Sequence, residues 1–160
     1  MITEINLRTS TRKLAETLRL ISSKATNASR PYSIQYDLDK HKYCFTAAAF
    51  DPGTGQWVAR ITDGSEPQNS TDISTQTTCI PLNDGVFFKD IEPLTESGQE
   101  QQSGRLSTWY SPRGITDPLL IHLGDKQGRF YTLILSRYGG RVEIRQGRWS
   151  YKEYIEKLLE

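Results

Sequence analysis

The chain has 160 residues, with 20 Lys and Arg against 19 Asp and Glu, so its formal net charge is +1. This length fits one or two small domains and excludes a large multidomain assembly. Near-neutral charge argues against a dedicated nucleic-acid binder, which normally carries a basic excess.

A packed core is expected, because aromatic residues make up 10% of the chain and disordered sequences are poor in them. No apolar run approaches the roughly 18 residues of a membrane-spanning helix. Residues 1–7 also lack the apolar region of a secretory signal peptide. The chain as given is therefore expected to be soluble.

The N-terminal segment has the residue spacing of one helix face. Its apolar and small residues recur every three or four positions; they are Leu7, Thr11, Leu14, Leu18, Ile21, Ala25 and Ala28. The helix should end near Ser29, because the residue before Pro31 is disfavoured in helical conformation. Arg8, Arg12 and Lys13 are unfavourable near a helix start. Either the natural helix begins upstream of residue 1, or it is a weakly capped helix.

Beyond Pro31 the apolar residues alternate with polar ones, which is typical of strands. Short strands are predicted within 32–38, 43–50, 57–61, 86–91, 106–110, 119–123, 130–136 and 142–144. The polar stretches 62–78 and 92–105 are predicted loops, and the second is the better candidate for a mobile loop. Turns of hairpin length between strands imply antiparallel pairing.

A second, short helix closes the chain. Ser150 and Glu153 nearly form a capping box, and apolar residues follow at helical spacing. The predicted fold class is α+β, with the N-terminal amphipathic helix packed on antiparallel β-sheets. The helix (1–30), the β-rich part (31–148) and the terminal helix (149–160) are predicted to form a single structural domain.

The two cysteines and two histidines lack the spacing of a metal site. Cys44 and Cys79 would form a disulfide in an oxidising compartment, or remain small core residues in the cytosol, and the sequence leaves both open. His41 is predicted to be a solvated turn residue, and His122 a single polar position in a strand. No catalytic motif accompanies them, so no enzyme activity, metal or cofactor is predicted.

The C-terminal part of the chain concentrates arginines on strands and turns. They are Arg137, Arg141, Arg145 and Arg148. With nearby aromatic residues, the last three are the candidate contacts to a nucleic-acid backbone. The competing interpretation is that these cations are balanced by Asp125, Glu143 and Glu153.

Four segments in a fixed order carry a resemblance to a known family. Arg12–Tyr43 is a helix end with small residues that leads into a first strand and hairpin, and Pro81–Phe88 is a strand entry. Trp109–Ile115 resembles a turn of the form phe-x-pro-x-gly, with Tyr110 in the first position, and Phe130–Ile144 is a closing hairpin that turns through gly-arg-val. In this order they resemble the H-type minor pseudopilins of type II secretion and their type IV pilin relatives. The terminal helix and the 92–105 loop go beyond the family pattern.

The resemblance implies a non-enzymatic structural subunit whose partners are other pseudopilins or pilins in a filament. It implies a globular domain on the periplasmic face of the bacterial inner membrane. Residues 1–160 would then be the soluble part of a longer protein, anchored by an upstream apolar helix that is missing here.

The resemblance also implies roles for particular residues. The helix would pack on the sheet through Leu14, Leu18, Ile21 and Ala25. A Cys44–Cys79 disulfide becomes more favoured in the periplasm. Two other hypotheses stay open: a DNA-binding minor pilin and a β-rich ligand-binding domain. Glu143 weakens the first, because it stands where the gly-arg-x-arg motif of DNA-binding relatives has its second arginine.

Overall fold

The computed structural model describes residues 2–61, 77–94 and 99–159. The helices are α1 (Ile2–Ala28) and α2 (Tyr151–Leu158). The strands are β1 (Tyr32–Asp37), β2 (Lys42–Ala47), β3 (Ala49–Asp51), β4 (Gln56–Val58), β5 (Thr78–Pro81), β6 (Val86–Pro93), β7 (Arg105–Tyr110), β8 (Leu119–Asp125), β9 (Phe130–Leu135) and β10 (Val142–Gln146). Most of the predicted 62–78 loop and part of the 92–105 loop lie outside the described residues.

Two four-stranded antiparallel sheets form the body of the protein. The first sheet has the order β5-β2-β1-β7, and the second has the order β10-β9-β8-β6. β3 and β4 make a separate hairpin, on which the exposed rings of Phe50 and Trp57 meet edge to face at 5.5 Å. The predicted α+β class, with the helix on antiparallel sheets and a short terminal helix, is confirmed.

α1 lies across both sheets and supplies the centre of the core. Its fully buried apolar residues are Leu7, Leu14, Ala15, Leu18, Ile21 and Ala25. They join Ile34 and Tyr36 of the first sheet and Ile121 and Leu133 of the second in one cluster. Complete burial of each large apolar side chain contributes about 1.5–3 kcal/mol, so these helix residues add substantially to the core that both sheets share. Ala28, placed on the same face by its spacing, is exposed.

The polar residues on the buried face of α1 have hydrogen-bond partners, either within the helix or in the loop that the helix faces. The hydroxyl of buried Thr11 donates to the carbonyl oxygen of Leu7, one turn earlier, at 2.7 Å. The buried Ser10 hydroxyl accepts the backbone N–H of Asn83 at 2.9 Å. Small hydroxyl residues can therefore lie on the packed face without leaving an unpaired polar group.

α1 ends where the sequence predicted. Ser29 has a φ of 50°, in the left-handed region that commonly follows a helix. The N–H of Arg30 donates to the carbonyl oxygen of Ala25 at 3.1 Å, and Pro31 follows directly. The positive φ and the proline together turn the chain out of the helix and into β1.

The strand prediction was incomplete. β5 was not predicted, and the predicted strand 43–50 is divided between β2 and β3. β4 covers Gln56–Val58, whereas the prediction was 57–61. β5 was missed because it is short, polar at one end and stabilised by pairing with β2 across a long sequence separation. Such non-local pairing leaves little signal in local composition.

α2 begins as its capping pattern predicted. The Ser150 side chain is the N-cap and accepts the N–H of Glu153. α2 is amphipathic, yet none of its residues is fully buried. Among the described residues, neither helix has a stretch that is long and apolar enough to cross a membrane.

Candidate functional site

Cys44 and Cys79 are joined by a disulfide in the structure. They are directly opposite each other on β2 and β5, and 35 positions separate them in the sequence. The bond therefore ties the short edge strand β5 to the sheet. A cross-link over this span removes many conformations from the unfolded chain, which stabilises the fold.

Replacing both cysteines by alanine is expected to lower the free energy of unfolding by about 2–4 kcal/mol. The measurement is urea denaturation in an oxidising buffer. As a control, a thiol reductant should destabilise the natural protein by a similar amount and leave the double variant unchanged. Equal stability of the natural protein with and without reductant would contradict the structural role of this bond.

The second sheet carries a polar cluster in which buried Asp90 and His122 meet the exposed side chains of Arg148 and Glu100; we call it the Asp90 cluster. The His122 ring is 1% exposed. Its Nδ1 lies 2.5 Å from Asp90 Oδ1, and its Nε2 lies 2.6 Å from the carbonyl oxygen of Trp149. Arg148 Nη2 donates to Asp90 Oδ2 at 2.9 Å and to Glu100 Oε2 at 3.3 Å. The cluster thus links β6, β8 and the segment before α2.

The partners of His122 determine its protonation state. A carboxylate and a carbonyl oxygen only accept hydrogen bonds, so both ring nitrogens must carry a proton and the ring is an imidazolium. Burial alone lowers the pKa of His122, but its bonds to Asp90 and to the Trp149 carbonyl raise it above the ordinary value. Burial raises the pKa of Asp90, and the bonds from His122 and Arg148 outweigh this effect and lower it.

The Asp90 cluster borders a cavity of 350 Å³ that Glu92, Ser150 and Glu153 also line. Asp90, Glu92 and His122 each place one potential ligand atom within 4.8 Å of the others. Both nitrogens of His122 and both oxygens of Asp90 are already hydrogen-bonded, and Glu92 Oε1 accepts the N–H of Tyr151 at 3.4 Å. We therefore assign hydrogen bonding, not metal ligation, to these side chains.

A histidine–aspartate pair also occurs in hydrolases, where the free imidazole nitrogen takes a proton from a nucleophile. Here Nε2 faces the carbonyl oxygen of Trp149, which has no proton to give. The segment at Trp149 is held from a second side as well, because its N–H donates to the Thr132 hydroxyl at 3.0 Å. The arrangement secures the chain before α2.

The structure separates the C-terminal arginines that the sequence grouped together. Arg145 pairs with Glu143 at 2.8 Å and stacks on the rings of Trp149 and Tyr154. Arg148 belongs to the Asp90 cluster. Arg141 lines a second cavity, at the β9–β10 turn. Two of the three proposed DNA contacts are thus paired with carboxylates, and the DNA hypothesis is not favoured.

The structure corrects the expectations for two titratable side chains, Asp125 and His41. Asp125 does not balance the C-terminal arginines: it is buried at the end of β8 and pairs with Arg129 at 2.8 Å. His41 is half-buried, and its Nδ1 accepts the N–H of Phe88 at 3.0 Å. Burial lowers the pKa of His41, so its ring is the neutral acceptor that this bond requires. The partner of His41 lies 47 positions away on β6, whereas the partner of Asp125 is four positions away, across the turn after β8.

The fold is that of minor pseudopilins and type IV minor pilins, as the sequence resemblance predicted. The minor pseudopilin EpsH from the type 2 secretion system of Vibrio cholerae aligns with a TM-score of 0.59 at 13% identity, over 94% of this chain and 100% of that one. A second structure of EpsH gives 0.54 at 15% identity, over 88% and 97%. The type IV minor pilin FimU of Pseudomonas aeruginosa gives 0.51 at 16% identity, over 92% and 98%. No family model and no curated protein matches the sequence.

Proposed function

We propose that this protein is a structural subunit of a type II secretion pseudopilus or a related type IV pilus-like filament. The observation that carries the proposal is the shared fold: the alignments cover 97–100% of the EpsH and FimU chains. The role is assembly with other pilin-like subunits and not catalysis. Its buried histidine–aspartate pair fits this role, because it holds a chain segment in place.

The proposal places the domain on the periplasmic side of the inner membrane. The Cys44–Cys79 disulfide supports this location, because such bonds persist in the periplasm and are rare in the cytosol. Attachment to the membrane through an apolar helix upstream of α1 is part of the same proposal. α1 would continue that helix, with one face buried in the domain and the other available to neighbouring subunits.

Site-specific photo-crosslinking in the bacterium that carries the gene tests the proposal. A photoreactive amino acid replaces Leu20, which is exposed on α1, or Trp57, which is exposed on the β3–β4 hairpin. We expect adducts with other pilin-like subunits from at least one of these positions, since both project from the domain surface. Mass spectrometry identifies the partners, and a strain without the filament genes is the control.

Three outcomes would contradict the proposed function. The first is a set of adducts that contains no pilin-like subunit. The second is fractionation of the natural protein with the cytoplasm. The third is an upstream reading frame with a stop codon or a cleavable secretory signal in place of a short leader and about 20 apolar residues.

A further inference from the structure

A cavity of 720 Å³ lies between α1, the β9–β10 turn and α2. Three arginines from separate positions line it, namely Arg19 of α1 and Arg137 and Arg141 at the two ends of the turn. Apolar side chains line it as well, among them Leu94, Pro118 and Ile134. We call this cavity the arginine groove. We propose that it binds an extended peptide segment of a partner protein in which acidic side chains alternate with apolar ones.

The positive charge of the arginine groove is not neutralised by its own residues. Glu143 is the acidic residue in the described lining, and its carboxylate already accepts two hydrogen bonds from Arg145. Arg19 Nη2 donates to the carbonyl oxygen of Val142 at 2.7 Å, which holds the guanidinium in place and leaves its charge uncompensated. Within the described part of the chain, Arg137 and Arg141 form no ion pair. Carboxylates are therefore the complementary partner groups.

The turn that carries two of these arginines is held firmly. The carbonyl oxygen of Arg137 accepts the N–H of Thr116 at 2.9 Å, and that of Arg141 accepts the N–H of Ser136 at 3.1 Å. At Gly139 the backbone passes so close to the buried Tyr110 ring that a Cβ atom would collide with it. A fixed backbone reduces the entropy lost on binding, which is a property of preformed sites.

The walls of the groove favour a peptide over a nucleic acid. Its floor includes the buried Ile134, and Tyr154 of α2 forms one side. Arg145 stacks on the Tyr154 ring, with the guanidinium carbon 5.5 Å from the ring centroid, and thereby supports this wall. A sugar-phosphate backbone gains little from apolar walls, whereas leucine-like side chains are stabilised there. Binding of such a peptide does not depend on the filament role; only the identity of the partner as a neighbouring subunit rests on the proposed function.

The probe is a short fluorescein-labelled peptide of alternating leucine and glutamate, measured by fluorescence anisotropy with the 160-residue chain. Replacing both Arg137 and Arg141 by alanine is expected to weaken binding by about tenfold or more, because two charge-assisted hydrogen bonds are lost. In the matched control, alanine replaces Lys13 and Lys126, which are exposed and lie outside the groove lining. This variant loses the same net charge as the groove variant. It should change the affinity by less than about twofold, apart from general charge effects. Circular dichroism checks that both variants are folded.

A charge-reversal experiment tests the same contact in the opposite direction. The Arg141→Glu variant should no longer bind the leucine–glutamate peptide. It should bind a leucine–lysine peptide more tightly than the natural chain does. Equal weakening by the groove and control variants, or no binding of the peptide, would overturn the proposal. Equal affinity for a polyglutamate peptide would overturn the role of the apolar walls. If the chain binds duplex DNA more tightly than the peptide, and this binding depends on Arg137 and Arg141, then the ligand of the groove is a nucleic acid and the peptide proposal is wrong. These results are independent of the crosslinking test, so either proposal can fail alone.

Discussion

Replacing Asp90 by asparagine is expected to lower the free energy of unfolding by about 3–5 kcal/mol near pH 5.5. The carboxylate is buried and accepts hydrogen bonds from His122 and Arg148. Asparagine keeps the shape but removes the negative charge, so the imidazolium of His122 would remain buried without a counter-ion. The measurement is urea denaturation with a fixed probe. Glu100→Gln is the control: it touches the same Arg148 group from the exposed side and should cost at most about 1 kcal/mol.

The pH dependence distinguishes this electrostatic cause from lost packing. In the natural protein the pKa of His122 is raised above its ordinary 6.5. Its contribution to the free energy of unfolding is therefore complete below pH 6.5 and is lost as the pH rises through the folded-state pKa. The pKa of Asp90 is lowered, so its contribution is lost only as pH falls through its folded-state pKa. In Asp90→Asn the His122 dependence reverses, because burial then disfavours the charged ring. A stability difference that is constant from about pH 5.5 to 8 would contradict this explanation.

Replacing Leu18 by alanine is expected to lower the free energy of unfolding by about 2–5 kcal/mol. Leu18 is 0% exposed and lies on the face of α1 that packs in the core shared with both sheets. The substitution removes apolar contacts and leaves a cavity that the surrounding core fills only in part. Thermal and urea unfolding measure the loss.

Leu20 provides a matched control on the same helix. It is two residues away and 48% exposed, so the same change to alanine should alter stability by no more than about 0.5 kcal/mol. Because alanine and leucine have similar helix propensities, the difference between the two variants reports packing alone. A change near zero for Leu18 would place it outside the core.

The sequence was most informative where one short-range pattern controls the structure. The spacing of Leu14, Leu18, Ile21 and Ala25 predicts which side of α1 is buried, since a helix presents every third or fourth residue to the same surface. All four are fully buried. The end of α1 near Ser29 and the Ser150 cap of α2 also follow from neighbouring residues. Pairing of the edge strand β5 does not, because its partner β2 is more than 30 residues away.

The candidate sites depended far more on the tertiary structure. Arg141, Arg145 and Arg148 look equivalent in the sequence, yet one lines the groove, one pairs with Glu143 and one joins the Asp90 cluster. His122 looked like an isolated polar strand residue. Its carboxylate partner is 32 positions away on the adjacent strand, and its carbonyl partner is 27 positions away. No local periodicity encodes contacts of this kind.

The sequence by itself determined the α+β class, the buried face of α1 and the family resemblance, because these follow from residue spacing and segment order. Only the tertiary structure decided that His122 is a buried imidazolium and that Arg19 joins Arg137 and Arg141 around one groove. The physical reason is that charge and hydrogen-bond states depend on which groups face each other. That is decided when α1, the two sheets and the C-terminal segment pack together.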